Sequence, residues 1–255
     1  MQQDASLFKD LLWGMTEKEL RTRYKRTLFG FLWIFLNPLI QMIVISLVFA
    51  LFIKDPIPHY NFYLFIGLLL WNFFSLSLTK ATPSVVYERD LIKKARFPRI
   101  VIPLSIILAN FINFLLALVL FAAATMFLST FSLARLPLLI LGLSELLLLT
   151  CGLGFWTTAY NVRFRDINFF VQAILSIWFY ATPIVYTMSV VPQNLLWLWQ
   201  LNPLTSVVQL FQHTFLGTPT PELSIVWTNL AISLLVFLFG TLSFLSESKY
   251  FDDWV

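Results

Sequence analysis

Six stretches of the chain, roughly 28–53, 61–79, 100–129, 136–160, 168–189 and 223–246, contain between them a single charged residue, Glu145. A helix of about 20 apolar residues spans the ~30 Å hydrocarbon layer of a bilayer, so each run has the length of a crossing. The runs are continuous and do not alternate, which argues against a transmembrane barrel, whose strands alternate over ~10 residues. The expectation is an all-α polytopic membrane protein with six transmembrane helices, made of an N-terminal interface helix over 1–27 and one membrane domain over 28–255. The first apolar run follows a charged segment and is too long for a cleavable signal peptide. Cys151 is the single cysteine and lies inside an apolar run, so neither a disulfide framework nor a cysteine metal site is expected.

Charge position orients the spans. With the N-terminus inside, the inner segments hold six Lys/Arg in 1–27, six in 80–99, two in 161–167 and one in 247–255; the outer segments hold Lys54 and Arg135. By the positive-inside rule both termini are cytoplasmic. The net charge of +4 follows from this anchoring and calls for no nucleic-acid partner. Leu7, Phe8, Leu11, Leu12 and Met15 recur at helical spacing among charged residues, which predicts an amphipathic helix lying along the membrane surface.

The densest charge is ERDLIKKARFPR, residues 88–99, with five Lys/Arg in twelve positions. Leu91, Ile92, Ala95 and Phe97 interleave with the charges, and the Phe97–Pro98 step ends any helix there. Charged and apolar side chains mixed on a cytoplasmic loop make a protein-docking element. The chain itself carries no motor. None of its eight glycines precedes a lysine, so there is no phosphate-binding G-x-x-x-x-G-K-[ST] loop. No Ser/His/Asp or paired-carboxylate arrangement shares a face, and His59 and His213 read as polar residues at the outer interface. The chain is not expected to be an enzyme.

The order of these features is specific in combination: the amphipathic start, RTRYKRTLFGFLWIFLNPLIQM (21–42), ERDLIKKARFPR with Pro103 after it, NVRFRDINFF (161–170), ATPIVY (181–186), and LNPL before the last run. Together they resemble the membrane subunit of the ABC-2 type polysaccharide exporters, which export O-antigen, capsule and teichoic-acid chains, and the resemblance covers essentially the whole chain. It implies a homodimer paired with two copies of a separate ABC ATPase in a bacterial cytoplasmic (inner) membrane. It also implies ATP and Mg2+ in that partner with no cofactor bound by this chain, and a glycan substrate carried on undecaprenyl diphosphate. Glu88, Arg89, Asp90, Leu91, Lys93, Lys94 and Arg96 would form the coupling helix in a groove of the ATPase. Short extracytoplasmic helices between spans five and six would form the gate.

A hydrated sugar chain needs amides for its hydroxyls and aromatic rings for its C–H faces, with little charge to stall it. Phe29, Trp33, Asn37 and Gln41 are spaced four apart and form one stripe, either lining such a path or joining helices by their amides. Trp178, Tyr180 and Tyr186 offer further rings. Pro183 would bend span five at its outer end, as a gate or as a static kink. Residues 190–222 read either as interfacial helices or as a re-entrant hairpin, with Trp197, Trp199, Asn202 and Pro203 as gate candidates; FLNPLIQ (35–41) and QLNPLTS (200–206) echo each other weakly. Arg21, Arg23, Lys25, Arg26, Arg163 and Arg165 are candidates for a diphosphate head group or for anionic membrane lipids. Glu145 reads as a structural hydrogen-bonding group before a transport group. Two rival readings are an ABC-2 exporter of drugs or lipo-oligosaccharides, with a greasier path, and a gradient-driven secondary transporter, with several intramembrane charges.

Overall fold

In the computed structural model, which describes residues 2–25, 27–50, 58–94, 97–126 and 132–251, every regular element among the described residues is helical. The helices are α1 (Gln2–Tyr24), α2 (Trp33–Ala50), α3 (Tyr60–Ala81), α4 (Ser84–Tyr87), α5 (Arg89–Lys94), α6 (Val101–Met126), α7 (Leu136–Arg163), α8 (Ile167–Tyr180), α9 (Leu196–Gln200), α10 (Pro203–Leu216) and α11 (Leu223–Glu247). Four of them, α3, α6, α7 and α11, are long and apolar enough to cross a membrane, while α2 and α8 are shorter apolar helices. With 18 residues α2 is about 27 Å long, and with 14 residues α8 is about 21 Å.

The length of α8 differs from the expected run to 189, and the cause is local. Pro183 drives Thr182 out of the helical region, so the helix stops at Tyr180 and does not bend. Thr182 turns its hydroxyl back onto the Trp178 carbonyl, 2.9 Å away. The chain then continues along the start of α3. The Tyr60 hydroxyl donates to the Val185 carbonyl at 3.0 Å and that of Tyr63 to the Tyr186 carbonyl at 3.0 Å.

Beyond Tyr186 the chain turns back. It descends through α9 to Asn202, which lies against Ala181 and Thr182, and then reverses again as α10. The direction of α10 follows from its contacts. Its first turn meets α7 at Glu145, whose Oε1 is 2.5 Å from the Ser206 hydroxyl. Its last turn meets Arg135, just before α7, which donates to the His213 carbonyl at 3.1 Å. Ring contacts Phe114–Phe211 and Phe121–Phe215 show it running parallel to α6. The segment is thus a fold-back that enters the bundle and leaves on the same side. Eleven residues of α10 are buried, too many for a helix resting on an interface. Gly217 ends α10 in the left-handed conformation at φ 69°, which costs glycine little.

The core lies among α3, α6, α7 and α10, where Phe74, Phe121, Phe211, Phe215, Leu64 and Leu68 are fully buried. Helix α11 is largely exposed on its outer face and packs on α7 through a Gly152–Gly240 contact that brings the two backbones together. Helix α1 packs along α6, burying Met15 and Thr16.

Candidate functional site

Between α3 and α8 lie two cavities that share Thr79 and Gln172 and so form one trench. The lower, about 410 Å³, is bounded by Glu19, Lys80, Tyr87, Glu88 and Asn168. The upper, about 540 Å³, is bounded by Gln41, Asn72, Ser75, Ser176, Trp71 and Tyr180, with Phe179 at its side. Helical spacing places these groups. Asn72, Ser75 and Thr79 fall on one face of α3, and Asn168, Gln172 and Ser176 on one face of α8. The wall is a ladder of amides and hydroxyls with aromatic sides, and its charged groups, Glu19, Lys80 and Glu88, are confined to the lower end. Asn168 Oδ1 is buried there without a hydrogen-bond partner among the described residues. Such a surface can exchange hydrogen bonds with a polyhydroxylated chain at every level without holding it by charge.

The stripe expected from the sequence is divided. Gln41 accepts a hydrogen bond from Asn72 Nδ2 at 3.2 Å and faces the trench. Trp33 and Asn37 line a separate cavity behind that bond, and Phe29 meets Trp33 edge to face at 5.6 Å. Of the span-five aromatics, Tyr180 lines the trench. Trp178 packs on Phe74 and donates to Asn202 Oδ1 at 2.9 Å. Tyr186 ties the fold-back, donating to the Tyr180 carbonyl at 2.7 Å and accepting from Trp199 Nε1 at 2.6 Å. Pro183 lies beside it, Trp197 is exposed, and Asn202 caps α10 by accepting from the Leu204 N–H at 3.1 Å, with Pro203 in the first turn. The trench residues Asn72, Ser75, Thr79, Gln172 and Ser176 were not anticipated, although their polar periodicity inside apolar runs was visible in the sequence.

At the end of the bundle that carries α5, Lys93 and Lys94 are exposed, as are Arg89 and Asp90, which lie 3.8 Å apart. Leu91 is half-buried and Ile92 buried, which seats the helix on the bundle. Glu88 is engaged by Lys18 of α1 at 2.6 Å. Arg96 lies outside the described residues, as does Arg26. A tight joint connects this region to the spans. The Thr82 hydroxyl is 2.9 Å from that of Thr157, and Thr158 donates to the Ala81 carbonyl at 2.8 Å.

The remaining basic residues are dispersed. Arg21 pairs with Glu17 one turn away, and Lys25 is exposed. Arg163 stacks over the Phe164 ring at 5.1 Å, and Arg165 is exposed in the turn before α8. Arg23, in contrast to these, lines a cavity.

Residues 10–216 match the ABC-2 type transporter family. Over 251 residues the chain is 32% identical to the O-antigen export system permease protein RfbA of Myxococcus xanthus, covering 96% of this chain and 95% of that protein. A Klebsiella pneumoniae protein of the same name is 32% identical over 221 residues, 85% of this chain and 84% of its own. The polysialic acid transport protein KpsM of Escherichia coli is 24% identical over 237 residues, 87% of each. The family match spans most of the chain, and the chain belongs to the ABC-2 type transporter family.

Proposed function

We propose that this chain is the membrane subunit of an ATP-driven exporter that moves a lipid-linked polysaccharide, such as O-antigen on undecaprenyl diphosphate, across a bacterial inner membrane. The observation that carries the reading is the α3–α8 trench, uncharged above its lower end and walled by amides, hydroxyls and rings. Relatives named for O-antigen export agree with it in substrate class.

A trench open on one side encloses a chain only when a second copy covers it. The free face of α8, with Phe169, Phe170, Ile177 and Tyr180 exposed, supplies an apolar surface for that copy. This reading makes the protein a homodimer with six crossings per copy and termini inside, α2 and α8 being the two shorter crossings. Two ABC ATPase subunits bind ATP and Mg2+ and grip α5 through Arg89, Asp90, Lys93 and Lys94. Their movement reaches α3 and α7 through the Thr82–Thr157 joint and α1 through Lys18–Glu88. The fold-back held at Asn202, with Pro183, Trp197, Trp199 and Pro203 around it, closes the outer end of the path.

The test replaces trench polarity without touching the core. Gln172→Leu combined with Ser176→Leu alters two exposed trench residues. Surface polysaccharide in cells carrying this variant is expected to fall at least tenfold while the protein and its ATPase still co-purify. Normal surface polysaccharide in that variant would remove the trench from the path.

A further inference from the structure

The Gln41–Asn72 bond has a far side. Behind it, among α1, α2, α3 and α6, lies a second cavity of about 290 Å³. Its polar wall is Arg23, Asn37, Asn72, Asn110 and Asn113, and no Asp or Glu lines it. Two of the amides are almost sealed, Asn110 at 3% and Asn113 at 5% exposure. Asn110 donates from Nδ2 to Ser77 at 3.2 Å, but among the described residues its Oδ1 has no partner, nor does Asn113 Nδ2. Arg23 Nε and Nη2 are likewise buried with no hydrogen-bond partner among the described residues.

A buried amide group without a partner is unfavourable, and a buried guanidinium without an acceptor is more so. Here both kinds of orphan share one wall. Three of the four unpartnered groups are donors, and one of those residues, Arg23, carries a full positive charge. The wall therefore calls for an anion with several oxygens and one hydrogen to give to Asn110 Oδ1. A phosphate group fits, because a guanidinium takes two of its oxygens at once. The rest of the lining is apolar, including Leu69, Phe73 and Phe114. The partly exposed Trp33 and Leu76 stand where hydrocarbon would leave the cavity. The volume is near the lower end for small-ligand sites, enough for a head group and no more.

We propose that this cavity holds a lipid-borne phosphate, gripped by Arg23 and Asn113, with Asn110 accepting from a hydroxyl or amine of the head group. The site lies outside the trench and does not rest on which polymer is moved. The phosphate belongs either to a resident anionic phospholipid or to the lipid carrier of the cargo, and the chemistry is shared. Bound there, it joins α1 to α2, α3 and α6, where the protein alone leaves its polar groups unpaired.

The experiment is native mass spectrometry of the full chain purified in detergent and titrated separately with phosphatidylglycerol, undecaprenyl diphosphate and a phosphate-free galactolipid. Wild type is expected to retain one or both phosphate lipids and not the galactolipid. Arg23→Gln and Asn113→Leu are expected to weaken that retention about tenfold or more. Arg23→Lys, which keeps the charge but loses the fork, is expected to fall between. Arg21→Gln, on the same helix but paired with Glu17, is expected to match wild type. Preference for phosphatidylglycerol identifies a resident lipid, preference for undecaprenyl diphosphate identifies the carrier, and either supports the proposal. Equal retention by Arg23→Gln and Arg21→Gln, or equal binding of the galactolipid, would overturn it.

Discussion

Gly152→Ala is the smallest change that separates α7 from α11. A Cβ at this position would lie 2.6 Å from the Cα and N of Phe237 and from the carbonyl carbon of Val236, whereas ordinary contact begins at 3.4 Å. All three atoms are backbone, so no side chain can rotate away, and α11 must withdraw by about 0.8 Å. A gap of that size forfeits roughly a quarter to a half of each dispersion contact along the seam, and overpacking of this kind costs about 1–3 kcal/mol. Alanine returns about 1 kcal/mol through its better helix propensity, so the net loss runs from about zero to about 2 kcal/mol. Two other glycines calibrate it. Gly154→Ala would meet the tip of Ile107 at 2.9 Å, a flexible methyl, and should be near neutral; Gly14→Ala meets nothing within 4 Å and should stabilise slightly. The assay is unfolding in mixed micelles by SDS titration, followed by circular dichroism. The ranking Gly14→Ala above Gly154→Ala above Gly152→Ala is expected. A Gly152→Ala protein as resistant as the Gly14→Ala protein would refute the argument that the two backbones set the contact.

Reversing Lys93 and Lys94 to Glu is expected to cut ATPase co-purification at least tenfold with the membrane fold unchanged, checked by pull-down and circular dichroism; undiminished recovery would take α5 out of the docking surface. Glu145→Gln keeps an oxygen for the Ser206 hydroxyl and is expected to export normally, whereas Glu145→Leu removes that acceptor, leaves the hydroxyl only the Pro203 carbonyl, and lowers stability by about 1 kcal/mol in the same SDS titration. Loss of export in Glu145→Gln with the fold intact would instead give the carboxyl a part in transport. A double-mutant cycle on Lys18 and Glu88 is expected to yield about 0.2–1 kcal/mol of coupling, small because the Lys18 side chain is 53% exposed.

The sequence carried the architecture where a single physical rule dominates. Apolar runs of sufficient length, with Glu145 as their single charge, became α3, α6, α7 and α11, because backbone groups in hydrocarbon must bond within their own helix. Where two rules compete, the run of apolar residues misleads. Residues 181–189 are as apolar as a helix requires, yet Pro183 ends α8, and the chain is satisfied by bonds to Tyr60 and Tyr63, far away in sequence. The site was legible in part. The stripe on α2 was visible, but its division by the Gln41–Asn72 bond depends on how α2 rotates against α3, which no spacing within α2 encodes. The dispersal of the basic residues has the same origin: similar in the sequence, Arg21 and Arg23 point to different sides of α1, one to Glu17 and one to the cavity.

Asn202 has a consequence for how this protein can change over time. Its Oδ1 accepts from Trp178 Nε1 and the Leu204 N–H, and its Nδ2 donates to the Ala181 carbonyl and the Thr182 hydroxyl. Both lone pairs and both hydrogens of the amide are spoken for. Aspartate offers no hydrogens, serine has one in place of two, and glutamine carries its amide one carbon too far. This position has a vocabulary of one letter.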